Sequence, residues 1–301
     1  MTCHTKGVAA AIAAFTLWGI LPVYWKWFGG IPILQVTSHR VIWTLLILIP
    51  VLLFRKRATD PKRTRVCKKT LAIHTLAAFL LAGNWLIYVW ATLNDRIIEG
   101  ALGYYINPFL NILLGFLFLG ERQHRLQLCA ILVAVVGVIL QFPAINGVPW
   151  VALGLAFSFA LYGLLRKLSP MKAFSGLSLE MGILLPFALA YLWLHEGVNN
   201  SAFGSDMFTT MMLCATGLAT AAPLLCFARA TRSISLSLLG ILQFIGPSGQ
   251  FLIGWLVYNE ALPPIRLASF TLIWFAVLLY ILSLRQTKGF KDNKSTLKQA
   301  G

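Results

Sequence analysis

Apolar segments of about 20 residues, joined by short polar stretches, run through this chain from end to end. A helix needs about 20 such residues to cross a bilayer. Hydrophobic residues make up 58% of the 301 residues and charged residues only 11%, whereas a soluble domain carries about 25% charged residues. The sequence therefore predicts a membrane protein that crosses the bilayer several times.

Ten spans are predicted from these apolar runs. They are 7–27, 35–54, 71–93, 98–119, 126–142, 148–165, 177–194, 207–228, 236–258 and 265–284. Several joins are very short, and residues 94–97 alone connect the third and fourth spans. The expected fold is an all-α membrane bundle of ten helices without an inserted domain, because short joins leave no room for one.

The motif P-x2-[NQ]-x3-G-x5-E occurs twice, 139 positions apart. The fourth span holds Pro108, Asn111 and Gly115 and is followed by Glu121; the ninth holds Pro247, Gln250 and Gly254 and is followed by Glu260. Residues 15–19 also match residues 159–163 at a shift of 144, so that the two shifts differ by a small insertion or deletion. Agreement at so many unusual residues indicates that the chain consists of two related halves.

Five spans per half is an odd number, so the second half must enter the membrane from the opposite side. We therefore expect two inverted five-helix repeats, residues 1–143 and 144–285, followed by a basic cytoplasmic tail at 286–301. Inverted repeats related by an axis in the membrane plane are typical of transporters that hold the substrate near the midplane.

The distribution of lysine and arginine predicts the orientation. If the N-terminus is inside, the inner segments hold 21 of the 25 basic residues, and the positive-inside rule then places both termini in the cytoplasm. The net charge of +16 is thereby explained by topology, without a nucleic-acid partner. We expect the basic cytoplasmic segments, including a disordered tail, to rest on anionic lipid.

Enzyme signatures such as HExxH, GxxxxGK[ST] and GxSxG do not occur in the sequence. No pair of carboxylates is placed for acid–base chemistry, and no soluble domain is available to hold a nucleotide. We therefore predict that the protein is not an enzyme and uses neither a cofactor nor a metal. A permease that exports a small metabolite or drug is the first hypothesis, and a membrane-embedded enzyme or a lipid flippase is the alternative.

The candidate substrate site consists of polar and aromatic residues at similar depth in the third, fourth and ninth spans. They are Asn84, Trp85, Tyr88, Tyr104, Asn107, Asn111, Gln243 and Gln250. Amides supply hydrogen-bond donors and acceptors without net charge, which suits a neutral or zwitterionic solute. Pro108 and Pro247 are predicted to kink their helices and to free backbone carbonyls near this set.

A structural role for the same residues remains open. Amides inside a membrane also join helices, at about 0.6 kcal/mol per contact. The aromatic residues, with Trp18 and Tyr105 nearby, suit core packing as well as the wall of a binding site. If the amides line a site, the repeat predicts that Asn111 and Gln250 face each other across the axis.

Three further residues are candidates for a gate or a proton site: His39, Arg40 and Glu180. His39 and Arg40 begin the second span near the outer surface, where arginine either extends to lipid head groups or contacts an anion at an outer gate. Glu180 lies just inside the cytoplasmic end of the seventh span. Glu121, near the start of the fifth span, and Glu260, just before Pro263 and Pro264, are predicted to be structural, because a carboxylate favours a helix N-terminus.

Several sequence strings resemble one known family. They are HRVIW at 39–43, GNWLIYVWA at 83–91, EGALGYYINP at 99–108, NILLGFLFLGER at 111–122, PLLCF at 223–227 and QFIGP at 243–247. In these strings the chain resembles the RarD-type permeases, or chloramphenicol-sensitive proteins, of the EamA branch of the drug/metabolite transporter superfamily. The resemblance covers residues 7–284 and implies a bacterial inner-membrane permease with efflux of a small molecule. Asn259 departs from the glycine expected before Glu260.

Overall fold

The computed structural model of this protein describes residues 3–58, 67–93, 97–140, 150–195, 202–257 and 264–299. Every regular element in these ranges is helical. The α-helices are α1 (Cys3–Trp25), α2 (Ile33–Ala58), α3 (Lys68–Leu93), α4 (Ile97–Leu119), α5 (Arg125–Ile139), α6 (Trp150–Leu168), α7 (Ala173–His195), α8 (Met207–Ser233), α9 (Leu236–Gln243), α10 (Ile245–Leu256) and α11 (Pro264–Gln299). A 3-10 turn, Lys26–Phe28, extends α1. The helices follow the predicted spans, with α9 and α10 together forming the ninth.

Six helices in the described ranges are long and apolar enough to cross a membrane. They are contributed by α1, α2, α3, α6, α7 and α8. Shorter apolar helices cover Gly103–Leu119, Arg125–Ile139 and Leu267–Ser283. One large core packs the helices together, and it includes residues of both halves such as Phe15, Tyr105, Phe227 and Phe244. The architecture is that of a multi-pass membrane protein, because apolar side chains also cover much of the outer surface.

The two prolines of the repeated motif lie in different helical surroundings. The ninth span is interrupted at Phe244, between α9 and α10, three residues before Pro247. Proline lacks a backbone N–H and its ring crowds the carbonyl four residues earlier, which here belongs to Gln243. Helix α4, in contrast, continues through Pro108 without interruption. An interruption of the helix therefore precedes Pro247, whereas Pro108 lies within a continuous helix, and the kinks at the two prolines stay predictions.

Glycine lets the fourth and ninth spans approach closely. A Cβ atom on Gly240 of α9 would lie 2.7 Å from the carbonyl oxygen of Pro108 and 3.2 Å from the Cβ of Asn111. A second close approach joins α1 to α10, where a Cβ on Gly19 would lie 3.3 Å from the Cα of Gly249. Small residues at helix crossings allow backbones to pack together in membranes.

The contacts of Glu121 explain the glycine and the glutamate in the first copy of the repeated motif. Its carboxylate accepts hydrogen bonds from the backbone amides of Leu236 (2.8 Å) and Ser237 (2.9 Å), at the N-terminus of α9. Gly115 makes room for it, since a Cβ there would lie 2.6 Å from Oε2 of Glu121. The predicted attraction to a helix N-terminus is therefore present, but the helix is α9 rather than α5. Glu260 lies outside the described residues.

We expect Glu121→Ala to lower the free energy of unfolding by about 1 kcal/mol, because two amides of α9 lose their acceptor. Thermal melting of the purified protein in detergent measures the change. Arg122→Ala, at the exposed neighbouring position, is the control and should leave the melting temperature unchanged. Equal melting of the Glu121 and Arg122 variants would contradict the capping role.

Helix α11 continues to Gln299, whereas the sequence predicts disorder after residue 285. Lysine, glutamine and leucine are good helix formers, so the apolar span can extend as a helix into the basic segment.

At the start of α8, the amide of Thr209 donates to the side chain of Asp206 (2.8 Å). Hydrogen bonding from Thr209 holds the pKa of the exposed Asp206 carboxyl below its ordinary value.

Candidate functional site

Two asparagines of the predicted substrate set, Asn84 and Asn107, join the third and fourth spans to the sixth. Nδ2 of Asn84 donates to the carbonyl of Leu155 (3.0 Å) and to the hydroxyl of Ser158 (2.9 Å). Nδ2 of Asn107 donates to the carbonyl of Ala156 (2.6 Å). Both asparagines are buried. Helix α6, the first helix of the second half, therefore receives polar contacts from α3 and α4 at neighbouring positions.

Asn111 continues this polar contact to the ninth span. Its Nδ2 donates to Oδ1 of Asn107 (3.0 Å) and to Oε1 of Gln243 (2.9 Å). Gln243 is the last residue of α9, immediately before the break. Oδ1 of Asn111 is buried and accepts no hydrogen bond within the described ranges. A line of three amides thus crosses from one half to the other where α9 ends.

Gln250 bonds elsewhere. Its Nε2 donates to the carbonyl of Trp18 in α1 (3.3 Å). The hydrogen-bond partner of Asn111 in the second half is therefore Gln243. The repeat matches Asn111 with Gln250, but these two residues do not bond to each other. Gln250 lies in α10, which packs against α1.

Arg40 lies among aromatic residues of three helices. Its guanidinium carbon is 4.1 Å from the ring centre of Trp85 and 4.6 Å from that of Trp25. Its Nε donates to the hydroxyl of Thr220 in α8 (3.1 Å). Arg40 is half-buried, whereas Trp85 and Thr220 are buried. These contacts bring Arg40 to the predicted substrate set, although the sequence predicted that it either extends to lipid head groups or contacts an anion at an outer gate.

The tyrosines of the predicted set lie beside this arginine. The rings of Tyr88 and Tyr104 are 5.7 Å apart, and both residues are half-buried. Both are close enough to Arg40 to interact with it electrostatically, as is Tyr24 of α1. The structure therefore brings together Trp85, Tyr88, Tyr104 and Arg40, and we call this group, together with Trp25, the aromatic–arginine cluster.

The sequence did not single out Trp25 or Thr220. Trp25 ends α1, where an aromatic residue is ordinary at a membrane interface. Thr220 is one of several threonines in α8. Neither residue type or position is unusual, so no local signal could have identified them. Of the other aromatic candidates, Trp18 packs on Phe159, with ring centres 5.4 Å apart, and belongs to the core.

His39 is separated from Arg40 although the two are adjacent. Consecutive residues point about 100° apart around a helix. The His39 ring is buried and stacks on Phe203, with ring centres 5.2 Å apart. Its two ring nitrogens have no hydrogen-bond partner among the described residues, and the same holds for the buried amide of Gln35 one turn earlier. The predicted gate residues thus occupy two different environments.

Glu180 is fully buried in a network of polar groups. Its Oε1 lies 2.7 Å from Nδ1 of His74 and 3.0 Å from Nη1 of Arg166. The hydroxyl of Tyr162 donates to Oε2 (3.2 Å), and Nε2 of His74 lies 2.7 Å from the hydroxyl of Ser169. His74 belongs to the first half and Glu180 to the second. The carboxylate of Glu180 in α7 is therefore held by partners from α3 and α6.

A groove of about 420 Å³ lies away from these polar groups, between α1 and α8. It is lined by apolar residues of both helices, including Leu17, Ile20 and Met212. Its position on the outer surface of a membrane protein suits contact with lipid chains. No member of the aromatic–arginine cluster lines this groove, although Tyr24, which lies near Arg40, does.

Comparison with known proteins agrees with this architecture. The EamA-like transporter family matches residues 5–142. Protein RarD of Salmonella typhi is 38% identical over 94% of this chain and 97% of its own length. The uncharacterized transporter YojE of Bacillus subtilis (strain 168) is 40% identical over 96% of this chain and 97% of its own.

A crystal structure shares the fold, with a TM-score of 0.72 over 92% of this chain and 98% of the other, at 15% sequence identity. At that identity the likeness concerns the fold alone. The relatives named above cover nearly the whole chain at well over 30% identity. The chain therefore belongs to the RarD-type permeases of the EamA-like transporter family.

Proposed function

We propose that this permease exports a small neutral or zwitterionic metabolite or drug across the bacterial inner membrane by alternating access. Its two inverted five-helix repeats, 1–143 and 144–285, move relative to each other around a site between them. Both termini lie in the cytoplasm, and an active reporter on the outer face, fused to the C-terminus, would contradict this orientation. A membrane-embedded enzyme or a lipid flippase is the competing function.

The pattern of helix contacts supports an inverted repeat. In the two halves α1 corresponds to α6 and α3 corresponds to α8. Exchanging corresponding helices converts the contact of α1 with α8 into the contact of α6 with α3, and both contacts are present. The contact of α4 with α6 likewise corresponds to that of α9 and α10 with α1. Contacts of α2 with α7, α4 with α9, and α5 with α11 map onto themselves, as an axis between the halves requires.

The observation that carries the proposal is the amide line at the broken helix. Asn107, Asn111 and Gln243 connect the halves at the point where α9 ends and α10 begins. Discontinuous helices at the interface of two repeats are where secondary transporters hold their substrates. A break inside a membrane is tolerated where protein or a water-filled cavity satisfies the backbone.

We infer that the substrate contacts the predicted set in two ways. Trp85, Tyr88 and Tyr104 line an aromatic wall. Asn84, Asn107, Asn111, Gln243 and Gln250 already have protein partners, so they reach substrate by exchanging hydrogen bonds when the halves move. Oδ1 of Asn111 is a buried acceptor without a donor within the described ranges, and it offers a place for a donor group of the solute or for a water molecule.

The test is the pair of variants Asn107→Leu and Gln243→Leu. A role in the site predicts that transport into proteoliposomes falls by much more than the fraction of folded protein, because the polar crossing between the halves is lost. A screen of metabolites and drugs by thermal shift first supplies the solute, since ligands that bind the native state raise its stability.

Thermal melting of each variant without ligand is the control for that pair. If transport falls only in proportion to the amount of folded protein, both amides serve as helix contacts and are not part of the substrate site. A purified protein that binds solutes but moves none of them across the bilayer would favour the enzyme.

A further inference from the structure

Arg40 is an intramembrane cation for which the described ranges contain no carboxylate partner. It lies seven residues after the start of α2, which places it about 10 Å along the helix axis at 1.5 Å per residue. Only its Nε has a hydrogen-bond partner in the described structure, the hydroxyl of Thr220. Charged groups inside membranes are costly, and they pair with one another or mark a substrate pathway.

The aromatic residues around Arg40 hold its charge without neutralising it. The rings of Trp25 and Trp85 attract the guanidinium by cation–π interaction. The hydroxyl of Thr220 accepts from Nε, and the described ranges show no hydrogen bond from either terminal nitrogen of Arg40. Two parallel N–H groups on that edge match the two oxygens of a carboxylate.

Comparison with Arg166 shows what a structural arginine looks like in this bundle. Arg166 is 1% exposed and bonds to Glu180 at 3.0 Å. Arg40 is half-buried and has no such anion in the described structure. A positive charge that is partly accessible, held in place and unneutralised fits a ligand rather than a structural pair.

We propose that Arg40 binds the carboxylate of the transported solute, while the aromatic rings of the cluster contact a planar apolar body. Trp25 and Trp85 border the guanidinium, and the Tyr88–Tyr104 pair lies beside it. The inference rests on the proposed function: of its two solute classes it keeps the zwitterions and drops the neutral solutes, and it adds carboxylate anions. Uncharged solutes are then poor ligands.

Binding to purified protein tests this inference with two matched pairs of probes. One pair is N-acetyl-L-tryptophan and N-acetyl-L-tryptophanamide, and the other is L-tryptophan and L-tryptophanamide. In each pair the acid should raise the melting temperature of the wild-type protein more than the amide does. Arg40→Gln should weaken binding of the acid by at least about tenfold, which corresponds to about 1.4 kcal/mol, and leave binding of the amide unchanged.

Two further variants make the test specific. Arg40→Lys keeps the charge but loses the paired N–H groups, so we expect an intermediate affinity for the acid. Arg229→Gln removes an exposed arginine from α8 and should bind both probes as wild type does. If Arg40→Gln does not melt as a folded protein, Arg40→Lys carries the comparison.

The inference is overturned if the wild-type protein prefers the acid in neither pair, or if the Arg40 variants retain the wild-type preference. This measurement does not depend on transport. Binding of the acid through Arg40 with no movement across proteoliposomes would contradict the permease function but support the arginine site. Transport of neutral solutes alone would support the permease and contradict the arginine site.

Discussion

Replacing Glu180 by leucine is expected to lower the free energy of unfolding by about 3–5 kcal/mol, which is the cost of leaving one member of a buried ion pair alone. Arg166 would remain 1% exposed, and its Nη1 would lose the carboxylate that now lies 3.0 Å away. His74 and Tyr162 would lose their partner as well. The loss is measured by thermal melting or by denaturant titration in detergent.

The double variant Arg166→Met/Glu180→Leu is the matched control. It removes both charges, and apolar replacements of buried ion pairs are often neutral or stabilising. We expect it to be more stable than Glu180→Leu alone, so that the two changes are not additive. A double variant that loses the sum of both single losses would mean that the two residues act independently.

The same network bears on proton coupling. Because Glu180 is engaged by Arg166, His74 and Tyr162, we expect it to be structural rather than a proton relay. Transport by Glu180→Gln should then respond to a pH gradient in the same way as wild type. A wild-type response that this substitution abolishes would make Glu180 the proton site.

Enlarging Gly240 is the second change for which we expect a large effect. In Gly240→Ala the new Cβ would lie 2.7 Å from the carbonyl oxygen of Pro108, so α9 must move away from α4. Overpacking of this kind costs about 1–3 kcal/mol. The displacement also separates Asn111 from Gln243. We therefore expect the transport rate to fall by more than the loss of folded protein accounts for.

Gly182→Ala in α7 provides the control for this close approach. Nothing lies within 4 Å of a Cβ at Gly182, so this substitution in a helix should leave the protein as stable as wild type or more so. Melting curves and proteoliposome transport are compared for the two alanine variants. Equal behaviour of both would show that the contact between Gly240 and Pro108 is not needed.

Much of the fold could be predicted because membrane spans are a local property. Length and apolar composition alone place a helix across a bilayer, so the predicted spans agree with α1 to α11 to within a few residues at most ends. The break in the ninth span was also predictable in kind, since proline disturbs the turn before it. The continuous course of α4 through Pro108 was not, because neighbouring helices can support a proline in a membrane.

The sequence by itself determined which residues are unusual: the amides, the repeated glycine and glutamate, Arg40 and Glu180. Only the tertiary structure decided their partners. Glu121 caps α9 instead of α5, Asn111 bonds to Gln243 instead of Gln250, and Arg40 joins the aromatic residues while Glu180 pairs with Arg166. The physical reason is that hydrophobicity and helix periodicity act within one segment. A hydrogen bond or ion pair inside the membrane depends on which helices pack together and how they are rotated, and residues far apart in sequence set that jointly.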